Sequence, residues 1–91
     1  MRFSWDRRKE VYNQSEHQVS FKEAQSVFYD SLAQIYYDVE HSFEEDRYLI
    51  IGTSKEGNLL TVVHTAEENS IRIISAWHTT KQERKEYEKG T

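Results

Sequence analysis

The sequence predicts an α+β domain, and three observations carry that prediction. Residues 47–53, 59–65 and 71–78 are apolar runs rich in β-branched side chains, separated only by short polar turns, as in an antiparallel meander. Ser20 with Glu23, and Thr80 with Glu83, have the spacing of capping boxes and mark two helix starts. Phe21, Ala24 and Phe28 recur at helical spacing, with Val27 adjacent. The expected order is strand, two helices, four strands, helix, with the helices on one face of the sheet. At 91 residues the chain is one small domain, 1–91, with a thin shared core.

Each element has a local reason. Residues 2–5 suit a short edge strand, anchored to the core by Phe3 and Trp5. Asp6 can cap a first helix running to about residue 15, with Val11 and Tyr12 inward. Val19, before the second cap, can staple to Ala24. The two helices are joined by a few residues around His17 and form a pair. Residues 33–38, with Tyr36 and Tyr37, favour extended structure. Residues 41–46 form an acidic loop, and residues 55–58 (Lys-Glu-Gly-Asn) form a turn. Residues 66–70 are a polar turn before the last strand, and a charged helix follows from Thr80 to about Tyr87.

Composition narrows the function. There is no cysteine, so disulfides and thiolate metal sites have no residues to form them. No stretch approaches the roughly 20 apolar residues a membrane helix needs. Trp5 runs directly into Asp6-Arg7-Arg8-Lys9-Glu10, unlike a secretory signal. The expectation is a cytoplasmic protein without membrane contact. A net charge of −4 counts against bulk electrostatic binding of nucleic acid. The charges are segregated, though: Arg2, Arg7, Arg8 and Lys9 open the chain, and Lys81, Arg84, Lys85 and Lys89 close it. Asp38, Glu40, Glu44, Glu45 and Asp46 cluster between them. A positive patch exists only if the two basic ends meet.

Ile71-Arg72-Ile73-Ile74-Ser75-Ala76-Trp77-His78 places a guanidinium inside an apolar strand. Such a group must find an anion or reach water. The anion is a neighbouring carboxylate in the plain case and a phosphate in the other. If Thr65 lies opposite Ile71, then Tyr48, His64 and Arg72 form a row across three strands on one face; a one-residue slip would break it. Metal-free RNA cleavage needs a group to deprotonate the 2′-hydroxyl, one to protonate the leaving oxygen, and cations for the phosphorane. Histidine, lysine and tyrosine exchange protons, and arginine binds phosphate in bidentate fashion. An isolated strand histidine also occurs as hydrogen-bonded architecture. His17, at the helix junction, suits either a contact with the end of the helix dipole or proton transfer. The four histidines have no metal-ligand spacing, so neither metal nor cofactor is expected.

These residues together resemble the BrnT family of ribonuclease toxins from bacterial type II toxin–antitoxin systems. The match begins with Phe3, Trp5, Asp6, Lys9 and Asn13. It continues through His17, Val19, Ser20, Phe21, Glu23 and Ala24, then Arg47, Ile50, Gly52, Ser54, Gly57, Leu60, Val62, Val63 and His64. It closes with residues 71–76 and with Glu83, Arg84 and Tyr87. The resemblance implies a RelE-like fold and a ribonuclease that blocks translation. It also implies a BrnA-type antitoxin whose ribbon-helix-helix region binds DNA, so that DNA is met only through the partner. A dimer within the toxin–antitoxin complex is a further expectation. Two positions depart from the family pattern. Glu16 stands where lysine is common before the junction histidine, and Trp77 stands where arginine is common after the Ser-Ala of the last strand. The second departure would remove a phosphate contact and attenuate the toxin.

Two functions of different class follow. In the first, a metal-independent endoribonuclease, Arg72, Arg47 and Arg84 contact phosphate. His17, His64 and Lys9 are the candidates for proton transfer, and Lys81 and Trp77 join the RNA-binding surface. In the second, a non-catalytic interaction domain, Trp77, Tyr36 and Tyr37 are aromatic anchors. Arginines converging on one hollow favour the first; arginines paired with separate carboxylates favour the second.

Overall fold

The computed structural model describes residues 1–90. Its elements are β1 (Arg2–Trp5), α1 (Arg7–His17), α2 (Phe21–Ser26), β2 (Gln34–Tyr37), β3 (Tyr48–Thr53), β4 (Leu59–Glu67), β5 (Ser70–His78) and α3 (Lys81–Lys89). One turn of 3₁₀ helix (Val27–Tyr29) extends α2, and another (Val39–His41) follows β2. The strands form one sheet in the order β1-β5-β4-β3-β2. Strands β2 to β5 are the expected antiparallel meander, and β1 lies parallel to β5 at one edge.

The local signals act as the sequence suggests. Asp6 Oδ1 accepts from the amides of Arg8 and Lys9, and Thr80 with Glu83 forms a complete capping box. Ser20 accepts from the Glu23 amide, but the Glu23 carboxylate reaches instead to Ser54 and Asn58 across the β3–β4 turn. Gly57 sits in that turn at φ +90°, where a side chain would be strained.

Ile50, Leu60, Val62, Ile71, Ile73 and Ala76 point to one face and meet Val19, Phe21, Ala24 and Val27 in the core. Phe3 packs edge-on to Phe28, and Trp5 to Phe21, so β1 is anchored as expected. The other face carries Leu49, Ile51, Thr61 and Val63 by strand alternation. Helix α3 covers that second face: Thr61 Oγ1 donates to Glu83 at 2.9 Å, and Gln34 Nε2 donates to the Tyr87 carbonyl at 3.1 Å. The helices therefore flank the sheet rather than sharing one face.

Three further expectations are corrected. Helix α1 turns Val11 and Tyr12 to solvent and buries Asn13. The β4–β5 connection is a two-residue turn, with Asn69 left-handed at φ 56°. Strand β5 also bulges: Val63 pairs with Ser75 and His64 with Ile73, leaving Ile74 as the extra residue.

Candidate active site

Strand β1 stops opposite Ile73, which leaves the outer edge of β5 short of a backbone partner beyond the bulge. Asn13 fills that gap because its side chain carries the same amide group as a backbone. Its Nδ2 donates to the Ala76 carbonyl at 2.9 Å, and its Oδ1 accepts from the Ala76 amide at 3.0 Å. The same group donates to the Val19 carbonyl at 2.9 Å and accepts from Ser75 Oγ at 3.0 Å. All four hydrogen-bonding positions of a carboxamide are then used, and Asn13 is only 2 % exposed.

Lys9, Asn13 and His17 are spaced four apart, so they form one stripe along α1, about 12 Å from end to end. With Asn13 fixed to Ala76, that stripe lies along the free edge of β5. Lys9 borders a recess with Arg8, Tyr12, Ile74 and Ser75. The His17 ring lies 6.0 Å from the Trp77 ring, centroid to centroid. A second recess opens there, where the end of α1 meets the start of α3, between His17, Trp77, His78 and Thr80.

Trp77 is held from the other side. Its indole N–H donates to Glu83 Oε1 at 3.0 Å. That oxygen also accepts from the Thr80 amide and from Thr61 Oγ1. One carboxylate thus caps α3, ties α3 to β4 and orients the indole.

The bulge decides what shares Trp77's face. In a regular strand, residues five apart point to opposite faces. With Ile74 extra, Arg72, Ser75 and Trp77 fall on the same face, the one α3 covers in part. There Arg72 Nη2 donates to Glu45 Oε1 at 2.6 Å, and Arg47 Nη2 reaches the same oxygen at 3.4 Å. The hydrogen bond from Arg72, and secondarily that from Arg47, holds the Glu45 carboxyl below the usual carboxylate range. Arg47 Nε is buried and has no hydrogen-bond partner among the described residues. Two guanidinium groups, one from β5 and one from the loop just before β3, therefore surround one anionic oxygen, a geometry that suits a phosphate as well as a carboxylate.

The structure brings together Arg47 with Arg72, and His17 with Trp77, and sets Lys9 on the stripe that carries His17. It does not form the row through His64. Tyr48 does pair with His64, but the short turn sets Arg72 opposite Thr65 and Ile73 opposite His64. Arg72 and His64 consequently face opposite ways. His64 is 2 % exposed, its ring 4.8 Å from that of Phe28, and burial lowers its pKa. It is a core histidine, out of reach of a substrate on the far face.

Lys81 and Arg84 lie on exposed positions of α3, whose sheet-facing residues are Glu83 and Tyr87. Arg84 is 4.0 Å from Glu88 and stands outside the Glu45 cluster. Arg7, Arg8 and Lys9 occupy the end of α1 away from the recess that His17 shares with Thr80 before α3. Among the described residues no three His, Cys, Asp or Glu side chains are grouped to hold a metal ion. The residues that reading the sequence left without a site role are Asn13, Ser75 and Glu45. The spacing Lys9–Asn13–His17 was the available signal for the first of them.

Residues 5–83 match the family model described as the ribonuclease toxin BrnT of type II toxin–antitoxin systems. No curated protein matches the sequence closely enough to add to this. Among solved structures, the chain is similar to the 1.1 Å crystal structure of the Brucella abortus ribonuclease toxin BrnT, with a TM-score of 0.67 at 17 % sequence identity. That match covers 89 % of this chain and 99 % of the other. At that identity the likeness concerns the fold.

Proposed function

The chain belongs to the BrnT family of type II toxin–antitoxin ribonuclease toxins, and from that premise we propose that it is a RelE-like, metal-independent endoribonuclease that arrests translation in the cytoplasm. Its neutralising partner is a BrnA-type ribbon-helix-helix antitoxin, through which alone the complex meets DNA. The 2′-hydroxyl of RNA gives its proton to a base and attacks phosphorus. The bond from phosphorus to the 5′-oxygen breaks, and an acid protonates that oxygen. The products are a 2′,3′-cyclic phosphate and a free 5′-hydroxyl. Lys9 and His17 exchange the two protons, Arg72 and Arg47 grip phosphate once it displaces Glu45, and Lys81 and Arg84 contact the flanking backbone. Trp77 offers a flat face to a base but no charge to a phosphate, so this form is attenuated.

The observation that carries the reading is the bonding of Asn13 to Ala76. It lays Lys9 and His17 along the strand whose bulge puts Arg72 and Trp77 on one face. The test is cleavage of single-stranded RNA by the purified chain and by Trp77→Arg, with and without EDTA, alongside Lys9→Ala and His17→Ala. Cleavage in EDTA that either alanine variant abolishes is expected. Cleavage that requires a divalent ion would overturn the mechanism, and none by either arginine-bearing or parent chain would overturn the activity.

The non-catalytic reading keeps one observation of its own. Arg47 and Arg72 share Glu45, and Arg84 stands near Glu88, so each arginine already faces a carboxylate.

A further inference from the structure

We propose that the free edge of β2 is where the antitoxin docks, by adding an extended segment of its own to the sheet. Strand β2 is the last in the sheet order and pairs only with β3. The Asp38 amide donates to the Arg47 carbonyl at 2.9 Å, which fixes the hydrogen-bonding phase of the ladder. Tyr36 and Gln34 then bond inward to β3, while the N–H and C=O groups of Ile35 and Tyr37 point out from the edge. An open edge of this kind is a template for another strand.

The side chains around it are apolar and uncovered. Nine large hydrophobic residues are exposed among the described residues, and five of them (Leu32, Ile35, Tyr37, Val39 and Phe43) fall within residues 32–43. Ile35 is 61 % and Phe43 87 % exposed. Ile35 and Tyr37 point the same way, so an added strand gains both main-chain bonds and an apolar ledge. Such concentration on one edge marks an interaction site.

Charge selects the occupant. The segment leaving β2 carries Asp38, Glu40, Glu44, Glu45 and Asp46. Asp38 is paired with His41, Glu45 with Arg72 and Arg47, and Asp46 with the Tyr37 hydroxyl, while Glu40 and Glu44 have no ion pair among the described residues. Glu44 lines a recess with His41, Phe43, Glu45 and Arg47; Glu45 is taken up by the arginines, so Glu44 is the carboxylate there that can meet a basic side chain. A second copy of this chain would bring its own acidic segment and a further net −4. The fitting occupant is an extended segment with apolar residues at alternate positions and basic residues beside them. Because the recess adjoins Arg47, the same segment would stand next to the arginine pair.

The identity of the partner rests on the toxin reading; the place and mode of docking do not. The probe is a full-length BrnA-type antitoxin, the partner of the proposed function, titrated against the full chain. Hydrogen exchange at the amides of Ile35 and Tyr37 should slow in the complex. Ile35→Pro, which removes an outward N–H that the fold does not use, should weaken binding by about tenfold or more. Glu40→Gln with Glu44→Gln should weaken it further and reduce its salt dependence, while Tyr29→Lys, on another surface, should bind as the parent does. Circular dichroism and melting of each variant establish that it folds. Tight binding that leaves these amides unprotected and both edge variants unaffected would overturn the docking site and leave the toxin reading standing. No binding by the parent chain would overturn both. Self-association of the chain alone that Ile35→Lys abolishes would assign the edge to a second copy and overturn the inference.

Discussion

The indole N–H of Trp77 is bonded to the carboxylate of Glu83 at 3.0 Å, six residues on and across the start of α3. That carboxylate also accepts from Thr80 and Thr61, so it is fixed in place whatever occupies position 77. A guanidinium there would find a preset anionic partner and still have donors free for a phosphate.

Trp77→Arg should therefore raise RNA cleavage. A charge-assisted phosphate contact is worth roughly 1.5–3 kcal/mol, or about tenfold to a hundredfold in rate. Initial rates on single-stranded RNA measure this, and growth arrest in cells lacking the antitoxin should rise in parallel. An unchanged rate from a folded Trp77→Arg protein would overturn the proposed attenuation by Trp77.

In the proposed mechanism Glu45, which is paired with Arg47 and Arg72, competes with substrate for both. Glu45→Gln leaves both guanidiniums without an ion pair and should tighten RNA binding about twofold to fivefold at low salt, with the gain fading as salt rises. Fluorescence anisotropy with a labelled oligonucleotide reads it. Equal affinities at every ionic strength would mean that RNA does not use this pair.

Asn13→Ala strips four hydrogen bonds from a buried site and leaves the Ala76 amide and two carbonyls without partners. The expected loss is about 2–4 kcal/mol, visible as a lower urea midpoint with an unchanged m-value. Activity should fall even where the variant remains folded, since Lys9 and His17 lose their common anchor.

The core histidine sets a pH dependence. Burial lowers the pKa of His64, so the unfolded chain takes up its proton first as pH falls through histidine's ordinary value of about 6.5. Its neutral form stabilises the fold fully above that value, and this contribution is lost on acidification until the folded-state pKa is reached. The slope is at most about 1.4 kcal/mol per pH unit. His64→Leu should flatten the stability profile below about pH 6.5, measured by urea unfolding as the pH is lowered from there; an unaltered profile would place the acid sensitivity elsewhere.

The element order and most of the core were legible because they depend on local pattern. Ser20, Thr80 and Asp6 cap the helices that their spacing predicts, and Phe21, Ala24 and Val27 face inward. What failed depends on relations between elements. The stretch 66–70 reads as a five-residue polar turn, yet Asn69 accepts a left-handed backbone and closes it in two. That difference of one in register separates His64 from Arg72. The bulge is hidden because Ile73 and Ile74 are identical, and nothing local says which is extra. Hydrophobicity alone turns Val11 and Tyr12 inward, whereas α1 packs on a strand edge whose need is for an amide, and Asn13 supplies it. Which face α3 takes is set by Thr61 and Gln34, both far from it in sequence.

The anchoring of α1 at its middle has a mechanical corollary. Asn13 stands four residues from Lys9 and four from His17, so the bonded amide is a fulcrum and the two side chains ride on opposite arms. A rocking of the helix that advances the ammonium toward β5 withdraws the imidazole, and the reverse. Changes that tilt α1 would accordingly favour one arm at the other's expense, and only displacement of the pivot itself could move both together.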